Sequence, residues 1–164
     1  WGMVLVIDKS RLEEFDRSPI VTRWRKRATN EFRAVLKPLS SHGLWANQNP
    51  FDFVSEQSNP NSKIAAITRA RIKWNKNLIF WKSTPPVVMD LHQSPGLITA
   101  IGIGEAPIGL QGTFSLWESA SAIREFAYKG AAHQKAIADT SAYNWYSEEL
   151  FARFAVREVR GTLQ

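Results

Sequence analysis

One pattern occurs twice in the chain and limits its fold more than any other feature. "DKSRLEEF" (8–15) and "SASAIREF" (119–126) each follow a short apolar run, and each places Leu or Ile three residues before Phe. The spacing between the two copies is constant, since Leu12 falls against Ile123 and Phe15 against Phe126. A strand leading into a helix, repeated at one offset, implies two related α+β halves.

Local patterns supply the elements around that repeat. "MVLVI" (3–7) reads as an opening strand, without an initial Met, so the chain reads as starting inside a longer first half. Leu12, Phe15 and Trp24 keep helical spacing, with Pro19 dividing the helix. "FRAVLKPL" (32–39) reads as a strand, and the Ser-, Asn- and Pro-rich stretch 40–62 as a long connection. "KIAAITRARIK" (63–73) alternates, with Ile64, Ala66, Thr68, Ala70 and Ile72 on one face and Arg69 and Arg71 on the other. Residues 75–92 read as a helix interrupted at Pro85 and Pro86, ending at His92, where the helix dipole favours a cationic side chain.

"LITAIGIGE" (97–105) is a strand with one nearly bare face, made of Ile98, Ala100, Gly102 and Gly104. Two glycines on one face of a strand imply close approach of a backbone or a ligand. "TFSLW" (113–117) is the next strand and Ser119 an N-cap for the helix after it. "WYSEELFARFAV" (145–156) reads as helical at its start and as a strand at its end.

Composition excludes several chemistries. The 164 residues include no cysteine, which removes disulfides, thiolate metal sites and cysteine nucleophiles. His42, His92 and His133 are the only histidines, and no two stand at the i, i+4 spacing of a helical zinc site. A cofactor needing a single protein ligand, such as haem, stays open. A P-loop, a Gly-x-Ser-x-Gly elbow and a complete dinucleotide fingerprint are all missing, because "GIGEAP" lacks its third glycine. No run approaches the roughly 20 apolar residues of a membrane span, so the expected location is cytoplasmic, at most peripheral to a membrane. The net charge of +6 gathers partly in "RWRKR" (23–27), a single cluster that reads as a solvated helix face beside Trp24 rather than a nucleic-acid site.

His133 is the one candidate ligand on a helix pattern. At about 100° per residue, Phe126 and His133 are nearly in line, at the margin of the stripe of Ile123, Ala127 and Ile137. Gly130 lies between them and leaves a flat surface. The residues alone leave two readings open, an ordinary packed or solvated histidine and an axial ligand.

Four segments carry a family resemblance: "SSHGLWA" (40–46), "AAITRARIK" (65–73), "GLITAIGIGEAPIGLQGTFSLWE" (96–118) and "WYSEELFARFAV" (145–156). In this order, and over nearly the whole chain, the sequence resembles the spheroidene monooxygenases of carotenoid biosynthesis. The resemblance implies an α+β, ferredoxin-like fold of the dimeric α/β-barrel group. It divides the single domain into a partial first ferredoxin-like half (1–46), a linker (47–62) and a second half (63–164), with a homo-oligomer to close the barrel. It also implies an oxidoreductase, a haem-dependent monooxygenase that oxidises the terminus of a carotenoid or similar hydrophobic substrate, using an unidentified electron donor.

In that reading His133 is the iron ligand. Gly102, Gly104 and Gly130 make room for the macrocycle, Phe126 and Trp117 line its apolar wall, and Arg69 or Arg71 pairs with propionates or polarises the distal site. The alternatives are a cofactor-free monooxygenase of the same barrel group and a non-enzymatic protein that binds haem or a hydrophobic ligand.

Overall fold

The computed structural model describes residues 2–52, 59, 61–106, 108–129, 135, 138–140 and 142–163. Its five strands, β1 (Phe32–Gly43), β2 (Ile64–Ile72), β3 (Leu97–Gly104), β4 (Leu110–Trp117) and β5 (Tyr146–Gly161), form one sheet in the order β1-β5-β2-β4-β3. Every neighbouring pair is antiparallel. Helices α1 (Leu12–Asp16) and α2 (Pro19–Arg25) precede β1, α3 (Asn77–His92) links β2 to β3, and α4 (Ala120–Lys129) follows β4. From β2 to β5 the order of elements is βαββαβ, and the sheet order β5-β2-β4-β3 makes this a ferredoxin-like unit. β1 adds to its outer edge along β5.

The alternation of β2 accounts for the two layers. Its even positions Ile64 and Ala66 pack with Leu91 of α3, Trp117 of β4 and Ile123 of α4 under the helices. Its odd positions Ala65 and Ile67 pack on the opposite face with Phe114, Leu116, Leu150, Ala152 and Phe154. Phe51, from the connection after β1, closes that second cluster by an edge contact on Phe154, with ring centroids 4.9 Å apart.

Three expectations change. Residues 3–7 form no strand: Met3, Val4, Leu5 and Val6 are each about half exposed, at 46–52%. A strand is held by ladder bonds to a neighbour, and no described strand lies beside this run. Helix α3 runs through Pro85 and Pro86 without interruption. Packing on both sides of the pair, Phe80 against Trp145 and Tyr146 before it and Leu91 in the helix-side cluster after it, outweighs the roughly 3 kcal/mol of an internal proline. Residues 145–150 are not helical, because β5 begins at Tyr146 and buries Leu150, Ala152 and Phe154 at a period of two.

The bare-face pattern of β3 also shifts. The ladder slips between Leu97 and Thr99, so Leu97 joins Ala100 in the helix-side cluster and Ile98 turns outward. A Cβ on Gly102 would meet nothing, whereas one on Gly104 would lie 3.1 Å from the Leu110 carbonyl of its own turn. Between β2 and β4 the close approach is instead at Gly112, where a Cβ would run into the Thr68 carbonyl.

Arg69 ties the sheet to its connections. It is 4% exposed, although its strand pattern alone suggests a solvated arginine. Its Nε donates to Glu105 Oε1 at 2.5 Å, its Nη2 to Glu105 Oε2 at 3.3 Å, and its Nη1 to Glu148. The guanidinium also lies over Trp45, 5.3 Å from the ring centroid. Glu148 accepts in addition from the backbone N–H groups of Asn47 (2.7 Å) and Ala46 (3.1 Å), two residues with positive φ. The Asn47 N–H foremost, with Arg69 and the Ala46 N–H, holds the Glu148 carboxyl below the ordinary glutamate value near 4.5.

Gly112→Ala lowers the free energy of unfolding by about 1–3 kcal/mol because the β2 and β4 backbones must part, while Gly102→Ala stays within about 0.5 kcal/mol; equal effects in urea denaturation would contradict the register. A depressed Glu148 pKa means the unfolded chain binds more protons, so the pair's stabilisation is present above pH 4.5 and fades as pH falls through the lower folded value. Glu148→Gln flattens that acid limb in denaturation measured across pH, and Arg69→Met costs about 1–3 kcal/mol at neutral pH by leaving the half-buried Glu148 without its main cation.

Candidate functional site

The helix-side layer is not filled everywhere. Ser119 caps α4 by accepting from the Ala122 N–H at 3.2 Å, which sets the helix with Ile123 and Phe126 toward the sheet. Beneath it Trp117 is 1% exposed, donates to Ser115 Oγ at 2.9 Å and packs on Phe126 with ring centroids 5.5 Å apart. This pair seals one side of α4. On the other side, toward β1 and β5, a cavity of about 270 Å³ remains, lined by Leu39, Ser40, Ile64, Ala120, Ile123, Arg124 and Arg153.

A break in β1 delivers part of that lining. Pro38 has no N–H for the ladder, and the register slips between Pro38 and Ser40. Leu39 is left without a cross-strand partner and packs into the helix-side cluster. Ser40 then stands opposite Arg153 of β5, and Arg153 Nε donates to Ser40 Oγ at 3.0 Å. Arg153 is half-buried, and Arg124 reaches the cavity from the exposed side of α4.

The polar set is one of donors. A guanidinium donates only, and the Ser40 oxygen, already accepting from Arg153, keeps its own proton for another acceptor. Such a set favours a carbonyl, an alkoxide or another electron-rich oxygen at the cavity end.

The residues singled out from the sequence fall in different places. Trp117 and Phe126 are brought together, as packed neighbours that do not line the cavity. Gly102 and Gly104 sit on the edge strand β3, away from the lining. Arg69 is held by Glu105 and Glu148 on the face opposite the helices, and the side chain of Arg71 is 47% exposed. His133 and Gly130 lie outside the described residues. His42 and His92 are exposed, and among the described residues no group of three His, Asp or Glu side chains could hold a metal ion.

Sequence reasoning did not single out Ser40, Arg124 or Arg153. Ser40 and Arg153 are 113 residues apart, and their one local signal is Pro38 inside a strand pattern.

No family model matches the chain. It is 37% identical over 159 residues to the spheroidene monooxygenase of Cereibacter sphaeroides, across 95% of this chain and 49% of that protein. The spheroidene monooxygenase of Rhodobacter capsulatus is 37% identical over 146 residues, across 88% of this chain and 60% of that one. That of Rubrivivax gelatinosus is 33% identical over 159 residues, across 96% and 60%. The chain therefore spans between about half and three-fifths of these relatives' length.

Among solved structures, that of a proposed monooxygenase from Fusobacterium nucleatum superposes with a TM-score of 0.57 at 10% identity, over 94% of this chain and 68% of that one. This is a likeness of fold alone, and it agrees with the βαββαβ unit. Over the length it shares with these curated relatives, the chain is similar in sequence to spheroidene monooxygenases, at 33–37% identity.

Proposed function

We propose that the chain is part of a monooxygenase that oxidises the end of a carotenoid or a similar apolar polyene, at the cavity between α4 and the sheet. The observation that carries this reading is the 37% identity over 159 residues to a spheroidene monooxygenase. The size of the cavity supports it. At about 270 Å³ it falls just below the roughly 300–1,000 Å³ of pockets that enclose a drug-sized ligand. It takes the tip of a long polyene and leaves the length outside, which selects a terminal carbon for reaction.

The chain's own groups then have distinct tasks. Leu39, Ile64, Ala120 and Ile123 give the tip apolar contacts. Arg153, positioned by Ser40, donates toward oxygen as it is placed on the substrate, and the Ser40 proton supports the same atom. Arg153→Ala lowers kcat/KM for a carotenoid substrate by on the order of 10- to 100-fold, the range for losing a charged hydrogen bond, with an unchanged circular dichroism spectrum. Equal turnover in the variant would move the reaction away from this cavity.

The cofactor in this reading is haem on His133, which supplies oxygen activation when bound. The cavity lining itself does not fit haem iron, since it offers no imidazole, thiolate or phenolate. Titration of the purified chain with haemin, wild type beside His133→Ala, tests the haem reading: a sharp stoichiometric Soret band is expected in the first and not in the second. With no specific band in either protein, oxygen-dependent turnover would make the enzyme cofactor-free, and binding without turnover would make it a carrier.

A further inference from the structure

We infer that α3 and the 3-10 turn before it (Trp74–Lys76) dock on an anionic lipid surface. The outward side of this segment is apolar to an unusual degree, with Trp74 82% exposed, Leu78 81% and Met89 62%. Leu78, Trp81, Pro85 and Met89 follow i, i+3, i+7 and i+11 spacing and share one side of α3, turned away from the buried Asn77 and Leu91. A helix that only meets water on its outer side carries polar residues there. This one is apolar toward the sheet, and away from it Leu78, Trp81, Pro85 and Met89 are exposed beside a single cation, Lys82.

The chemistry beside the apolar stripe distinguishes the occupant. A hollow of about 480 Å³ adjoins Trp74, and Arg71, Lys73, Asn77, Ile108 and Ser147 are among its lining residues. No Asp or Glu lines it among the described residues. The Arg71 guanidinium lies 4.0 Å from Glu148, beyond hydrogen-bond distance. Asn77 is 9% exposed and donates through Nδ2 to the carbonyls of Lys73 (3.3 Å) and Trp74 (3.1 Å), while its Oδ1 is buried without a partner.

Two cations and an exposed indole form a set suited to a phospholipid headgroup. Its phosphate pairs with Arg71 and Lys73. Trp74 and Leu78 enter the acyl boundary, where amphipathic aromatic rings partition best. A second copy of the chain fits the face poorly. A two-fold contact through one patch would set Arg71 and Lys73 against their own equivalents, like charge on like charge.

Vesicle flotation of the chain tests the inference without any assay of turnover, so its failure leaves the proposed oxygenation untouched. The chain is expected to float with vesicles of phosphatidylcholine and phosphatidylglycerol and not with phosphatidylcholine alone, and to be released by salt. The Trp74→Ala/Leu78→Ala variant loses affinity on the order of tenfold or more by removing the inserted apolar surface. Arg71→Gln/Lys73→Gln loses the preference for phosphatidylglycerol, and circular dichroism shows that both variants fold. The inference is overturned by an absence of flotation at every composition, by equal binding of the variants, or by a dimer in light scattering that Trp74→Ala/Leu78→Ala separates.

Discussion

A guanidinium placed within a sheet commits the chain around it. Arg69 stands on the same face of β2 as Ala65 and Ile67, where its charge has lost most of its water. Such a charge is tolerated only where carboxylates and hydrogen bonds replace the lost hydration. The replacements come from three separate places: Glu105 after β3, Glu148 on β5, and Trp45 in the connection after β1. Glu148 in turn gathers the Ala46 and Asn47 N–H groups, so the turn after β1 is fastened to the same node. Strand order, the β3–β4 turn and the path of the long connection are therefore coupled through one side chain.

That coupling leaves the other face of the sheet free for the cavity. With Arg69 and its carboxylates on the face opposite the helices, the helix side of β2 carries only Ile64, Ala66, Thr68, Ala70 and Ile72. Small residues under a capped helix leave space, and Trp117 with Phe126 fills it on one side of α4 only. Space remains where β1 joins β5, next to the slip at Pro38. A strand defect and an aromatic pair, acting from opposite sides of α4, thus set where the cavity lies.

The sequence made the periodic elements legible and left the non-local pairings hidden. Alternation in 63–73 and helical spacing in 119–126 depend on neighbours one to four residues away, so β2 and α4 could be read directly. The repeat was legible at the helix starts too, since Asp8 and Ser119 hold equivalent places and each accepts a hydrogen bond from a backbone N–H that follows it. Residues 3–7 show the limit of such reading, because β-branched composition measures how well a segment suits a sheet and not whether a partner strand is at hand. Arg69 shows the same limit for a site, since Glu105 and Glu148 lie 36 and 79 residues away and no local pattern announces them. Its one signal was a charge in line with Ala65 and Ile67, a face it shares with Arg71. Ser40 and Arg153 meet only because β1 lies along β5.

The size of the cavity and the outward face of α3 bear on one physical problem. A long apolar molecule is scarcely soluble in water, and a space of about 270 Å³ cannot shelter its whole length. An enzyme that takes only the tip must work where the remaining length is already solvated by something apolar, which is the interior of a bilayer. On the proposed reading, a protein resting on the bilayer surface would draw the tip upward. Trp74, Leu78 and Trp81 give such a protein its foothold, and Arg71 and Lys73 set its preference among headgroups. Binding at the surface then serves as the first step of substrate recognition, since it raises the local concentration of tips before any contact with the cavity. If both proposals hold, the affinity of α3 for lipid would act on apparent KM and the donors around Ser40 and Arg153 on kcat.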